Sequence, residues 1–460
     1  MKRGFENMEL RGKKVLVIGA ARSGLAAGNF FSIHGANVYL NDLKNEEELP
    51  KDIIKSLNKI GVKLILGEHV TIEKLMPEII IVSPGVPLSI QPLIEARKRG
   101  IPIWSEMELA AQNTRASMVA VTGTNGKTTT TELLGIIFAD SGRSTFVGGN
   151  IGVPFISKAE DLLAGDVAVL ETSSFQLETI QKFKPHIALI LNITPDHIDR
   201  HGTFIEYINA KAKIFVNQDK NDWLILNWDD LETRKLADKA KSNVLFFSRR
   251  HNLKEGFCVE NGFIVAKIGR KVVRILEEKD LLIKGGHNTE NALAAVAAAW
   301  TMGVSVESMA KSLKTFPGVP HRLENVLTYK GVKYINDSKG TNPDASIKAL
   351  DAYEKPIILI AGGKSKGSDF LPFAEKIKEK VKDLILIGQA SDEIEKAVKQ
   401  VGYSRYHKAS GFQEAVTKAS FLAIAGDIVL LSPACASFDM FDNFEHRGDV
   451  FKELVNNLAL

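Results

Sequence analysis

The run Val119-Ala120-Val121-Thr122-Gly123-Thr124-Asn125-Gly126-Lys127-Thr128 has the most legible chemistry in this chain. A β-branched segment enters a glycine-bearing turn, a Lys-Thr pair follows, and a helical pattern covers 132–139. Such a turn aims backbone N–H groups and the positive end of a helix at one point, which suits a polyphosphate. Lys127 would reach the outer phosphates and the Thr128 hydroxyl would sit on Mg²⁺. The usual Gly-x-x-x-x-Gly-Lys-Ser/Thr spacing is not met, because only Thr124 and Asn125 separate the two glycines, yet the strand, turn and helix chemistry is intact. The reading is an ATP site over Gly123, Thr124, Asn125, Gly126, Lys127, Thr128 and Thr129.

Other polar groups gather where apolar runs end. Glu171 follows Val167-Ala168-Val169-Leu170; it reads either as a Mg²⁺ ligand beside the ATP loop or as the acid of a helix start. Asn192-Ile193-Thr194-Pro195-Asp196-His197-Ile198-Asp199-Arg200-His201 closes the next strand; it is rich in Asp and His but lacks a zinc spacing, and Asp196 could equally be an N-cap. By spacing, Lys211 is an exposed helix lysine. His287 and Asn291 share a helix face and either touch a ligand or leave Asn288 to cap the helix. His321-Arg322, Asn336-Asp337-Ser338-Lys339-Gly340-Thr341-Asn342 and Gly362-Gly363-Lys364-Ser365-Lys366 collect basic and turn residues suited to clamping an anion. Cys435, in a late turn rich in aromatics and charges, reads as packed rather than nucleophilic.

The elements that must hold these groups read as α/β throughout. With 460 residues, two to four domains are expected, and 45% apolar with 25% charged residues is ordinary globular composition. A net charge of +4 from dispersed basic residues argues against nucleic acid, and two cysteines give neither a disulfide framework nor a zinc knuckle. No run reaches the roughly 18 apolar residues of a membrane helix, and the charged start lacks a signal-peptide core, so a cytoplasmic location is expected. Residues 13–18, the turn Gly19-Ala20-Ala21-Arg22-Ser23-Gly24, a helix to about His34 and a strand ending at Asn41-Asp42 form a βαβ unit. Ala21 stands where a dinucleotide fingerprint has its second glycine, which weakens a NAD reading and favours another nucleotide. Further strands are expected at 79–82, 167–170, 187–191, 357–360, 384–387 and 428–431. A small β insertion is expected over 244–283, a helix over 291–302, and a linker at Pro317-Gly318-Val319-Pro320. The expected domains are 1–105, 106–318 and 319–460.

Taken in order, the short Gly-Thr-Asn-Gly-Lys-Thr loop, Gly149-Asn150-Ile151-Gly152, Ser173-Ser174-Phe175-Gln176-Leu177-Glu178, Asp196-His197-x-Asp199-Arg200, Gly286-His287-Asn288, Pro320-His321-Arg322, Asn336-Asp337-Ser338-Lys339-x-Thr341-Asn342 and Leu431-Ser432-Pro433-Ala434-Cys435-Ala436-Ser437 resemble the Mur ligase family nearly end to end. Within it, the Ser-Ser-Phe-Gln-Leu-Glu segment resembles the branch that adds D-glutamate, and the Asp-Asn-Pro-Arg motif of the diamino-acid branch is missing. The resemblance implies a Rossmann-like first domain, a central P-loop ATPase-like domain with a mostly parallel sheet, and a Rossmann-like third domain. It implies ATP-dependent amide formation through an acyl phosphate, with UDP-N-acetylmuramoyl-L-alanine and D-glutamate as substrates and a monomer as the expected state. By similarity, Ser23, Asp42, Ser83, Pro84 and Gly85 bind the uridine diphosphate end, and Asn150 and Ser173 face the muramoyl group. Lys127 and Thr128 hold ATP and Mg²⁺, Glu171 holds metal, and His197 with a carbamylated Lys211 holds a second ion. Lys127, Glu171, His197 and Lys211 are thus the implied catalytic set. Asn291, Arg322 and Asp337 contact the nucleotide, while Lys339, Thr341, Lys366, Ser437 and Phe444 hold D-glutamate. Relatives often carry an acidic residue before the lysine matched by Lys366; here it is Ser365. The rival readings are a sister ligase with another acceptor, a NAD-linked oxidoreductase built on the Gly19 turn, and a nucleotide-binding regulator without turnover.

Overall fold

The structure is a computed structural model that describes residues 10–354, 356–365 and 367–458. Three sheets carry the chain, of five, nine and six strands. In the first, Lys14–Ile18 lies between Asn37–Asp42 and Ile79–Val82, with Lys63–Leu66 and Ile103–Trp104 at the edges, all parallel. Short β-branched runs buried on both faces, such as Val15-Leu16-Val17 and Ile80-Ile81, are what a parallel sheet covered by helices requires. The strand order reverses between Lys14–Ile18 and Ile79–Val82, so the ligand crevice of this fold type lies beyond their ends, at Gly19 and Ser83.

In the central sheet, Ser117–Thr122 is flanked by Val167–Glu171 and Ile187–Ile190, with Thr145–Gly149 and Trp223–Asn227 outside them, again all parallel. The segment expected as a small β insertion is instead the far side of this sheet. Asn243–Ser248 and Gly256–Glu260 continue it in parallel, Phe263–Ile268 returns antiparallel, and Lys271–Glu277 forms the edge. The return is made by Asn261-Gly262, both at positive φ (+51° and +77°), a hairpin pair that matches strand twist. The third sheet has a comparable hairpin at Lys330-Gly331, which joins Glu324–Tyr329 to Val332–Asn336. Parallel strands Ile428–Leu431, Ile357–Gly362, Val381–Ile387 and Tyr406–Lys408 complete it. The helix expected over 291–302 begins earlier, at Gly286, because Gly285 (φ +96°) turns the chain into it. Asn288 is therefore inside the helix, where its amide donates to the Lys284 carbonyl at 2.8 Å, and it is not a cap.

The chain divides into two compact units. One contains the chain up to Ile193 with Thr203–Leu276 and Ala292–Ser312; the other contains Thr194–Gly202, Glu277–Asn291 and everything from Leu313. Among the described residues, no helix is long and apolar enough to cross a membrane.

Within the first unit, two buried glutamates fasten the first sheet's exit to the central sheet. Ser105 caps the helix Glu106–Ala111. Glu108 accepts the N–H groups of Gln181, Lys182 and Phe183 at 2.8, 2.8 and 2.9 Å. Glu106 accepts the Ile156 N–H at 3.0 Å, and its other oxygen is buried without a hydrogen bond. Burial pushes the Glu106 carboxyl up from 4.5 to about 7. Between those values the folded chain keeps a proton that the unfolded chain has released, so stability falls as pH rises through that window. Glu106→Gln is expected to flatten this slope and to gain up to about 3 kcal/mol over wild type at alkaline pH. Urea unfolding across the window measures it; an unchanged slope would contradict the assignment.

Candidate active site

The loop after Ser117–Thr122 is shaped by its two glycines. Gly123 (φ +155°) ends the strand, and Gly126 (φ +86°) occupies the left-handed N-cap position of the helix Lys127–Asp140. Asn192 clamps the loop from the neighbouring strand end. Its carbonyl accepts the Thr124 N–H at 2.9 Å, its side-chain oxygen accepts the Asn125 N–H at 2.9 Å, and its amide donates to the Asn125 carbonyl at 3.0 Å. Lys127 folds back over the turn, donating to the carbonyls of Gly123 and Thr124, both at 2.9 Å.

Lys211 corrects the reading drawn from spacing. It is buried, not exposed, and its Nζ donates to the same Gly123 carbonyl at 2.8 Å. The ammonium also lies 4.6 Å from the centre of the Tyr207 ring, whose hydroxyl is 3.3 Å from Thr124 Oγ1. One carbonyl thus gathers two lysines at a helix N-terminus, a concentration of positive charge that suits a polyanion.

Glu171 is the last residue of a strand, which removes the alternative of a helix-start acid. Its strand is locked to Ser117–Thr122 by reciprocal bonds, Thr122 Oγ1 to the Thr172 carbonyl at 2.8 Å and Thr172 Oγ1 to the Val121 carbonyl at 3.1 Å. The carboxylate is buried and accepts the Thr128 hydroxyl at 2.7 Å and the Asn150 amide at 2.8 Å. Thr128 and Glu171 therefore offer a hydroxyl and a carboxylate side by side, the hard-oxygen donor set of a Mg²⁺ that takes its remaining ligands from phosphate and water. Among the described residues no group of three or more His, Cys, Asp or Glu is arranged for a metal by itself. An unmodified Lys211 ammonium is no metal ligand; the second ion implied by the resemblance would need a carboxylate-like form of it. Thr129 is buried one residue further along the helix. Ser173 caps the short helix Ser174–Leu177, exchanging bonds with Gln176.

In the first sheet, Asp42 accepts the Ala20 N–H at 2.7 Å and the Lys44 N–H at 3.0 Å, and the Ser83 hydroxyl donates to the Gly19 carbonyl at 2.9 Å. These bonds bring Asp42, Ser83 and the Gly19 turn together at the crevice. Ser23 lies in the first turn of the helix Arg22–Ile33, and Pro84-Gly85 follow Ser83.

The second unit holds the remaining candidates. His197 is at a left-handed φ of +54° and takes the N-cap position of the turn Ile198–His201, so Asp196 is not the cap. Asp196 instead accepts the His197 N–H at 2.9 Å and the Asn342 amide at 3.2 Å. His197 belongs to this unit, whereas Lys211, Thr128 and Glu171 belong to the first. Asn291 is buried in the second turn of its helix and donates to Asn288 Oδ1 at 3.2 Å. Arg322 stands between two non-glycine residues at positive φ, His321 (+61°) and Leu323 (+46°), local strain that fixes its direction. Its guanidinium is 3.6 Å from Asp337, which also accepts the Ser432 hydroxyl at 2.7 Å. Complete burial raises the Asp337 carboxyl above its ordinary range, opposed by Arg322.

Arg447, a residue to which the sequence assigned no role, organises the rest. Its fully buried guanidinium donates to Ser338 Oγ (2.9 Å), the Ser338 carbonyl (2.8 Å) and the Cys435 carbonyl (3.2 Å). Burial pulls it down to about 10. It thereby joins the Lys339-Thr341 turn, the Ser437 turn and its own helix, Phe444–Asn457. Lys339 Nζ lies 5.1 Å from the Phe444 ring centre. Lys364 pairs with Ala436 through bonds of 2.9 and 3.1 Å, bringing the Gly362-Gly363 turn beside Ser437. Ser365 donates to Glu393 at 2.9 Å. Lys366 lies outside the described residues. Cys435 is buried, as expected.

The chain is 52% identical over 446 residues to a UDP-N-acetylmuramoylalanine–D-glutamate ligase of Pelotomaculum thermopropionicum, covering 97% of this chain and 98% of that one. The chain belongs to the Mur ligase family. A ligase of the same name from Clostridioides difficile is 44% identical over 460 residues, covering 98% of this chain and all (100%) of its own. Family models match in three stretches: the MurD-like N-terminal domain over 13–105, the Mur ligase middle domain over 121–299, and the Mur ligase glutamate ligase domain over 321–435. The Mur ligase fold recurs in two Thermotoga maritima structures. These are a MurF ligase in complex with ADP (TM-score 0.63, 17% identity, 98% of this chain and 100% of that) and the UDP-N-acetylmuramate-alanine ligase MurC (0.61, 20%, 97% and 99%). The three-domain α/β fold with mostly parallel sheets is thus a family feature here.

Proposed function

We propose that this protein uses ATP to join the amine of D-glutamate to the L-alanyl carboxylate of UDP-N-acetylmuramoyl-L-alanine, a step of peptidoglycan precursor synthesis. The observation that carries this reading is the 44–52% identity, over 97–98% of the chain, to ligases of that name. The turn chemistry of Gly123–Lys127 supports the ATP half independently of any relative.

A carboxylate is a poor electrophile. Its oxygen attacks the γ-phosphorus, ADP leaves, and the acyl phosphate so formed is attacked by the D-glutamate amine, which loses a proton as phosphate departs. Lys127 and the positive N-terminal end of the helix Lys127–Asp140 offset charge on the transferring phosphoryl group. Thr128 and Glu171 would hold one Mg²⁺, and His197 with a carbamylated Lys211 a second, supplying Lewis-acid charge neutralisation. Carbamylation would remove one of the two positive charges that share the Gly123 carbonyl, which is the physical argument for it at Lys211. Asn291, Arg322 and Asp337 take the nucleotide. Ser23, Asp42, Ser83, Pro84 and Gly85 take the uridine diphosphate, Asn150 and Ser173 face the muramoyl group, and Lys339, Thr341, Lys366, Ser437 and Phe444 take D-glutamate. In this reading the domains are 1–105, 106–318 and 319–460, and the enzyme is a cytoplasmic monomer.

Phosphate release from ATP with UDP-N-acetylmuramoyl-L-alanine tests the reading across an acceptor panel of D-glutamate, L-glutamate and a diamino acid. Release is expected with D-glutamate alone, with a matching mass gain on the nucleotide; release with another acceptor would make the protein a sister ligase. The role given to Arg447 makes a separate prediction. Arg447→Lys keeps the charge but loses the planar fork that joins two turns to its own helix, so KM for D-glutamate is expected to rise about tenfold while KM for ATP changes less than about twofold. Equal changes in both would show Arg447 to be merely structural.

A further inference from the structure

We propose that Arg22 is a positioning residue that ties the first sheet's glycine turn to the Glu171 carboxylate through the closed loop of residues 149–153. Arg22 is the first residue of the helix that follows the Gly19 turn, next to Ser23. Its Nη1 donates to the Gly152 carbonyl, 3.2 Å away and 130 residues later in the chain. The loop that receives this bond is closed on itself, Gly149 N–H to the Val153 carbonyl at 3.1 Å. It is fastened to Glu171 twice, by the Asn150 N–H to the Glu171 carbonyl at 2.9 Å and by the Asn150 amide to the carboxylate at 2.8 Å. The other carboxylate oxygen meets Thr128 at 2.7 Å. The loop has no slack against the strand end: Gly149 is at φ +98°, and a Cβ there would stand 2.6 Å from the Glu171 carbonyl. A displacement of Gly152 is therefore passed to Asn150 and to the rotamer of Glu171.

Other anchors also cross between the sheets, among them Glu106 to the Ile156 N–H and His34 to Glu160 at 3.1 Å. Both attach beyond residue 153, on the stretch that leads away from the catalytic strand end. Arg22 grips the loop itself. The coupling rests on the proposed function in one respect, that the Gly19 turn takes the uridine diphosphate. A nucleotide in that turn then reaches the phosphate-transfer carboxylate through Arg22 without touching it.

Arg22 is exposed and its acceptor is neutral, so the effects are moderate. Arg22→Met is expected to lower kcat about five- to tenfold with KM for the uridine substrate changed less than about twofold, and Arg22→Lys to recover part of the loss. In an Asn150→Ala background the same substitution should cost less than about twofold, since the loop's bond to the Glu171 carboxylate is already gone and only the backbone bond to the Glu171 carbonyl remains. Amide hydrogen exchange of the ligand-free protein gives a readout that does not depend on turnover. Gly149 and Asn150 should exchange several-fold faster in Arg22→Met while the flanking strands are unchanged. Unchanged exchange at those amides would overturn the proposal. A raised KM with kcat intact would also overturn it, making Arg22 a direct substrate ligand. A wild-type enzyme that binds UDP and ATP but shows no D-glutamate-dependent turnover would instead overturn the functional reading, and the exchange result would still decide the contact.

Discussion

Lys127→Ala is expected to lower D-glutamate-dependent turnover by about a thousandfold or more, on the order of 4 kcal/mol of transition-state stabilisation, with little change in melting temperature. The side chain is half-buried and donates to the Gly123 and Thr124 carbonyls in the turn beyond the strand end, so its removal is expected to leave the central sheet's ladder intact. What is lost is a cation held at a helix N-terminus where phosphoryl charge develops. Lys127→Arg should not restore the rate, because the larger planar guanidinium spreads its charge and cannot take the position of a compact ammonium point charge. Initial rates at saturating substrates, beside thermal melts, measure both. A rate within about fivefold of wild type would remove Lys127 from the chemistry.

Lys211→Met carries the second large effect, and its value lies in separating packing from charge. Methionine fills most of the same space beside Tyr207 without an ammonium, so the fold is expected to survive with less than about 1.5 kcal/mol of destabilisation. Turnover is nevertheless expected to fall by about a hundredfold or more, because the second charge at Gly123, or the carbamate formed from it, is gone. Lys211→Ala adds a cavity and should cost about 2–4 kcal/mol of stability besides. Native mass spectrometry of the wild type should show a species heavier by one carbon dioxide that Lys211→Met lacks. Normal turnover in Lys211→Met would reduce the lysine to a packing residue.

These two lysines mark the limit of what could be read before the fold was known. Lys127 was legible because its chemistry is local: strand, glycines, lysine and helix are consecutive. Glu171 was half legible, since an apolar run announced the strand, but only its register beside Val121 removed the helix-start alternative. Lys211 was not legible from spacing, and only the family resemblance singled it out. Its burial depends on a helix face meeting a carbonyl 88 positions earlier, and no short-range pattern encodes that. Arg447 is the same case at 109 positions from Ser338. The parallel α/β architecture followed from the β-branched runs, whereas the far side of the central sheet was misjudged as an insertion. Asn261-Gly262 was the available signal, a hairpin pair between two alternating strands. The roles implied by resemblance for Lys339, Ser437 and Phe444 gain a physical basis from the buried guanidinium that spans their turns, a relation no linear motif contains.

The central claim is that the γ-phosphoryl group passes to the L-alanyl carboxylate and is displaced by D-glutamate. Turnover of UDP-N-acetylmuramoyl-L-alanine carrying heavy oxygen in its alanyl carboxylate tests it most directly. In the presence of ATP and D-glutamate, each phosphate released should contain one labelled oxygen, and the product amide should retain the other. Phosphate free of label, or labelled phosphate formed equally well with L-glutamate, would contradict the claim.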